Sequence, residues 1–95
     1  MYLSVYHFDG DSTDLLARYD RMVANFPDEA LLLHACVATA DGISVYDSCP
    51  DIEAHAEFIT SDAWLNALSD AGLPTPRIVG LGDVHHWVAP RVATT

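Results

Sequence analysis

LLLHACVATADGISVYDS, residues 31–48, is the stretch on which the fold turns. Residues 31–39 form a nearly continuous apolar run, as expected of a strand covered on both faces. Asp41-Gly42 is a strong hairpin signal into a second run, 43–48. With a two-residue loop the paired positions sum to an odd number. Leu33, Ala35 and Val37 then share a face with Ser44, Tyr46 and Ser48, while His34 and Cys36 share the other with Val45 and Asp47. A slip of one residue in the loop would exchange the two faces.

Working back from the hairpin, residues 12–26 carry Leu15, Leu16, Tyr19, Met22, Val23 and Phe26 on one stripe of a 3.6-residue period. Asp11, Ser12 and Thr13 offer side-chain oxygens to the helix start and Pro27 ends it, leaving Arg18, Asp20 and Arg21 toward water. Before it, residues 2–8 are aromatic and β-branched, with Leu3, Val5 and His7 on one face and Tyr2, Ser4, Tyr6 and Phe8 on the other, a first strand closed by Asp9-Gly10.

Working forward, Pro50 and Asp51 open a second helix with Ile52, His55, Ala56 and Ile59 as its apolar stripe. Thr60, Ser61 and Asp62 interrupt it. Ser61 or Asp62 caps a short continuation through Trp64, Leu65 and Leu68 that Gly72 stops. After Pro74 and Pro76, residues 78–88 read as a fourth strand with glycines at 80 and 82, and 90–95 as a tail.

The order is β-α-β-β-α-β over one α+β domain, residues 1–95, the ferredoxin-like arrangement of a four-stranded antiparallel sheet with two helices on one face. Its other face would expose either Tyr2, Tyr6 and Phe8 or Leu3 and Val5. That is too apolar for a monomer, and a second copy packed sheet on sheet is the simplest cover.

Composition narrows the function classes. Four Lys and Arg against fourteen Asp and Glu give a net charge of −10, which opposes nucleic acid and anionic membranes, while 51% hydrophobic residues exclude a disordered acidic tail. No run approaches a membrane span, and residues 1–8 lack the basic start and length of a signal peptide. Cys36 and Cys49 form no CxxC, so free thiols in the cytoplasm are expected.

Several segments carry a resemblance: VYHFDG (5–10), LLLHACVAT (31–39), SVYDSCPDIEAHAEF (44–58) and AGLPTPRIVGLGDVH (71–85). Together they resemble the dimeric α/β-barrel superfamily, which includes antibiotic biosynthesis monooxygenase-like domains and small actinobacterial proteins without established function. The resemblance implies a homodimer with a cavity between sheet and helices for a small apolar, aromatic or polyketide-like ligand. It also implies oxidation or isomerisation without a bound cofactor, the alternative being a non-catalytic module that binds a ligand or protein. Tyr46 stands where relatives often carry Trp facing that cavity, and the face of Val5 and His7 is implied to look toward the helices. Heme-degrading members of the superfamily hold their ligand histidine late in the second helix, a stretch here reading DAWLNALSDAGL, so heme is not expected.

His55, a polar ring on an apolar helix stripe, needs a partner or a wet cavity and is the leading catalytic candidate, with Tyr46 beside it. An oriented imidazole would remove a proton, and the phenol would hold the resulting anion. Ile52 and Ile59 are expected to aim His55 at the third strand. His7, Val5, Tyr19 and Trp64 complete the expected cavity, Trp64 and Trp87 also serving as packing. None of the five histidines has zinc spacing, and adjacent His85 and His86 would point to opposite faces of a strand. His34, expected to pair with a carboxylate, shares a face with Cys36 and Asp47, so those three are the remaining metal possibility. The absence of GxSxG, Walker and GxGxxG motifs removes those chemistries.

Overall fold

A computed structural model of the chain describes residues 1–24 and 33–88. The elements run β1 (Tyr2–Asp9), α1 (Ser12–Val23), β2 (His34–Thr39), β3 (Gly42–Cys49), α2 (Ile52–Ile59), α3 (Asp62–Ala71) and β4 (Arg77–Asp83). The four strands form one antiparallel sheet in the order β2-β3-β1-β4. The chain is thus α+β, with three helices among the described residues where two were expected. The expected end of the first helix at Phe26 and Pro27, residues 31 and 32 of the second strand, and the tail lie outside the described residues.

The hairpin has the expected odd-sum register: His34 lies opposite Asp47, Ala35 opposite Tyr46 and Thr39 opposite Gly42. Its loop is Ala40-Asp41 rather than the expected Asp41-Gly42, and Gly42 starts β3; the pairing moves by two residues, so the faces are kept. Gly42 has φ +156°, and a Cβ there would sit 1.9 Å from the carbonyl oxygen of Phe8, because β1 crosses it at the strand end. Only glycine lets the two backbones approach this closely.

All three helices pack on the side to which Tyr2, Ser4, Tyr6 and Phe8 point. Tyr6, Phe8, Ile43 and Val45 from the sheet meet Leu15 and Met22 of α1, Trp64, Leu68 and Ala71 of α3, and Leu73. The first-strand alternation is therefore as read, but the face is the reverse of the one the resemblance implied. Val5 and His7 look away from the helices, because the side carrying two buried aromatics of β1 is the one that removes more apolar area from water.

Helix ends follow their side chains. Asp11 accepts from the Asp14 N–H at 2.9 Å and Asp51 from the Ala54 N–H at 2.8 Å. Between α2 and α3, Thr60 Oγ1 donates to the Ala56 carbonyl and Ser61 Oγ to the Phe58 carbonyl at 2.7 Å, while Ser61 Oγ accepts from the Trp64 N–H. These bonds substitute for helical ones and split the expected continuation off as a helix longer than its predecessor. Ile52, expected on the buried stripe of α2, is 54% exposed, since it lies in the first turn, before the helix settles onto the sheet. Arg18 and Arg21, expected to face only water, donate to the carbonyls of Gly72 and Ala71 at the end of α3.

β4 ends at Asp83 rather than 88 because its partner runs out. The register with β1 shifts between Leu3 and Ser4, Gly82 takes φ +139°, and the Val84 N–H bonds the carbonyl of Met1. His85, His86 and Trp87 therefore follow the strand and do not alternate across it.

Candidate functional site

Polar side chains collect where the sheet meets α2. Alternation along β1 puts Ser4 and Tyr6 on the helix side, and the β1–β3 register puts Asp47 opposite Ser4. The Asp51 cap fixes the start of α2, so His55, whose N–H bonds the Asp51 carbonyl, falls over the middle of β1. Ser4, Tyr6, Asp47 and His55 are all buried.

His55 Nδ1 lies 3.3 Å from Ser4 Oγ and 3.5 Å from the Tyr6 hydroxyl, and Ser4 Oγ donates to the backbone carbonyl of Asp47 at 3.4 Å. The single Ser4 proton cannot serve both neighbours. When it goes to Asp47, the lone pair on Ser4 Oγ is open to an Nδ1–H of His55, so the tautomer and the hydroxyl rotor are linked. Two aromatic rings lie against the imidazole, and two more back them. Tyr2 and Tyr6 have ring centroids 5.4 and 6.2 Å from it, and Trp64 packs on Tyr6 at 5.1 Å and on Phe58 at 5.0 Å. Tyr2 reaches in because residue 80 is glycine: a Cβ there would lie 2.0 Å from the Tyr2 hydroxyl oxygen.

Burial pushes the Tyr6 phenol up to about 12, against the pull of its bond to Ser4, and the Asp47 and Cys49 charges add to the rise. Tyr6 is thus a neutral hydrogen-bond donor across ordinary pH. Every buried side-chain nitrogen and oxygen among the described residues has a partner.

His55 is buried, as its stripe position implied, but it rests on β1 rather than aiming at the third strand. Tyr46 lies opposite Val5 and Ala35 on the face away from the helices, so it and His55 lie on opposite sides of the sheet and cannot flank one cavity. Alternation fixes this, since Asp47 faces the helices and its neighbour must face away. His7 and Val5 lie with Tyr46 on that open side, where His7 Nδ1 meets Ser44 Oγ at 2.8 Å. Of the remaining expected cavity residues, Trp64 belongs to the His55 surroundings. Tyr19 lies farther along the helix side and meets His34 instead. Ser4, Tyr2 and Tyr6 were missed. The signal was present, a serine and two tyrosines in register on one strand face, but periodicity alone does not say which face the helices cover.

His34 pairs with a carboxylate, its Nδ1 3.4 Å from Asp47 Oδ1. Cys36 and Cys49 are free, and burial raises both thiols above their ordinary range. Among the described residues no group of three or more His, Cys, Asp and Glu side chains could hold a metal ion, and no helix is long and apolar enough to cross a membrane. Two surface grooves, of about 470 Å³ beside Asp11, Arg18 and Gly72 and about 400 Å³ beside Leu3, Leu81 and His85, are lined by neither His55 nor Tyr46. No protein-family model and no curated protein matches the chain.

Proposed function

We propose that this protein is a homodimeric, ferredoxin-like α/β-barrel subunit that binds a small, largely apolar aromatic molecule beside His55 and handles a proton on it without a tightly bound cofactor. The observation that carries the reading is His55 itself, a buried imidazole whose Nδ1 faces two hydroxyls and whose ring lies against those of Tyr2 and Tyr6. In this role the neutral imidazole takes a proton from the bound molecule, and the Tyr6 phenol donates a hydrogen bond to the oxygen where charge develops. Tyr6 takes the part for which Tyr46 is on the wrong side of the sheet.

The sheet order β2-β3-β1-β4, together with the succession of elements, supports the ferredoxin-like and barrel reading. The distribution of charge supports the homodimer. In a chain of net charge −10, the strand residues facing away from the helices include one carboxylate, Asp9, and it is bonded to Arg77 at the rim. Val5, Tyr46 and Val79 occupy the middle of that face, so two copies can meet there without opposing like charges. Light scattering at micromolar concentration is expected to give twice the 10.3 kDa chain mass, and a species of 10.3 kDa would remove the dimer.

A non-catalytic binding module is the second reading, favoured by the complete hydrogen bonding of the cluster and by grooves that do not reach His55. Titration with a panel of substituted phenols and quinols, followed through the imidazole resonances of His55, separates the two. Ring-proton shifts with turnover that His55→Ala abolishes support the enzyme, and shifts without turnover support the module. Unmoved His55 resonances would sink the ligand site.

A further inference from the structure

A second polar group, at the α1–β2 edge of the same sheet, is independent of the His55 reading. Tyr19 on α1 hydrogen-bonds His34 Nε2 through its hydroxyl, and His34 Nδ1 faces Asp47 Oδ1 at 3.4 Å. The sheet register holds the second half of this chain, since His34 and Asp47 are directly opposed across the β2–β3 ladder. The first half is held by stacking: the Tyr19 and His34 rings are 13° from parallel with centroids 5.9 Å apart.

Proton placement follows from the inventory of donors. A carboxylate only accepts, so Nδ1 carries the hydrogen toward Asp47, and the lone pair of Nε2 is left to accept from the phenol of Tyr19. Burial deepens from the imidazole to the carboxylate, the His34 side chain being 21% exposed and the Asp47 side chain 9%, while Tyr19 is half-buried. The order hydroxyl, imidazole, carboxylate is the arrangement that activates a hydroxyl for attack, with the third group orienting the base and stabilising the imidazolium.

We propose that Tyr19, His34 and Asp47 form an activated-phenol site that accepts an acyl group from small activated esters. His34 Nε2 takes the phenol proton as the Tyr19 oxygen attacks the carbonyl carbon. The new carbon–oxygen bond forms, the bond to the leaving alkoxide or phenoxide breaks, and that group leaves with the proton from Nε2. Asp47 remains ionised throughout.

Treating the full chain with p-nitrophenyl acetate and locating the acetyl group by peptide mass tests this. General-base assistance is expected to make Tyr19 react about a hundredfold faster than the phenol of N-acetyl-tyrosine amide in the same buffer, and His34→Gln or Asp47→Asn to remove most of that advantage. Tyr19→Phe should abolish the modification. Acetylation of Tyr19 no faster than of the free amide, modification of Cys36 or His34 in its place, or a Tyr19 rate unchanged in folded His34→Gln would overturn the proposal. Should either variant fail to fold by circular dichroism, the comparison of Tyr19 in the wild-type chain with the free amide decides alone.

Discussion

The two faces of this sheet are made by the same four strands and have opposite chemistry. The helix side buries Tyr6 and Phe8 at 1% exposure together with polar groups that partner one another across three elements, Ser4, Asp47 and His55. The open side carries valine, serine and tyrosine: Val5, Ser44 and Ser48 are buried at its centre, and its Val37 and Val79 are nearly half exposed. Polar groups under the helices are held in place because their partners come from different elements. On the open side, polar groups such as His7 and Ser44 pair only across adjacent strands. The difference teaches where specificity sits. A buried hydrogen-bonded set fixes geometry, and an open face whose one carboxylate is paired at the rim offers area.

The largest expected effect tests the contrast in burial directly. Phe8→Ala is expected to lower unfolding free energy by about 3–5 kcal/mol, against less than about 1 kcal/mol for Val79→Ala in the dissociated chain, because only the first leaves a cavity. Urea unfolding at low protein concentration measures both, and similar losses would mean that the two faces are buried alike.

Next is the assignment of the open face to a second copy. Val79→Asp puts one carboxylate from each copy into the middle of the proposed contact, where an unpaired buried charge costs several kcal/mol. Sedimentation is expected to show the variant as a folded monomer. A dimer of undiminished affinity would put the contact elsewhere.

Removing His55 comes third. His55→Ala strips a partner from Ser4 and Tyr6 and should cost about 1–3 kcal/mol, while Gly80→Ala, which forces the Tyr2 hydroxyl off its position, should shift the His55 resonances at smaller cost. Unchanged stability in His55→Ala would mean that water replaces the ring without penalty.

The smallest effect concerns Tyr6. Its phenol is raised from 10.0 to about 12 by burial, so in that window the unfolded chain has lost a proton that the folded chain keeps. Stability should therefore be intact below pH 10 and decline as pH rises toward 12. Tyr6→Phe should flatten that decline, as alkaline unfolding monitored by circular dichroism would reveal. An unaltered profile would mean that other groups set it.

Local chemistry was legible in the sequence wherever neighbouring residues decide the outcome. Alternation in residues 2–8, the odd-sum pairing of the hairpin and the stop at Gly72 depend on spacings of a few residues and are found as read; among the capping residues offered, Asp11 and Ser61 take the role, and the hairpin loop sits one residue earlier than Asp41-Gly42. Tertiary structure decided what lies between elements. It put the helices over Tyr6 and Phe8 rather than over Val5 and His7, and thereby set Tyr46 apart from His55, brought Ser4 and Tyr6 to the imidazole, and joined Tyr19 to His34. The physical reason is that a strand's period of two defines two equivalent faces. Which of them is buried depends on the total apolar area the helices can cover, a quantity no single segment contains.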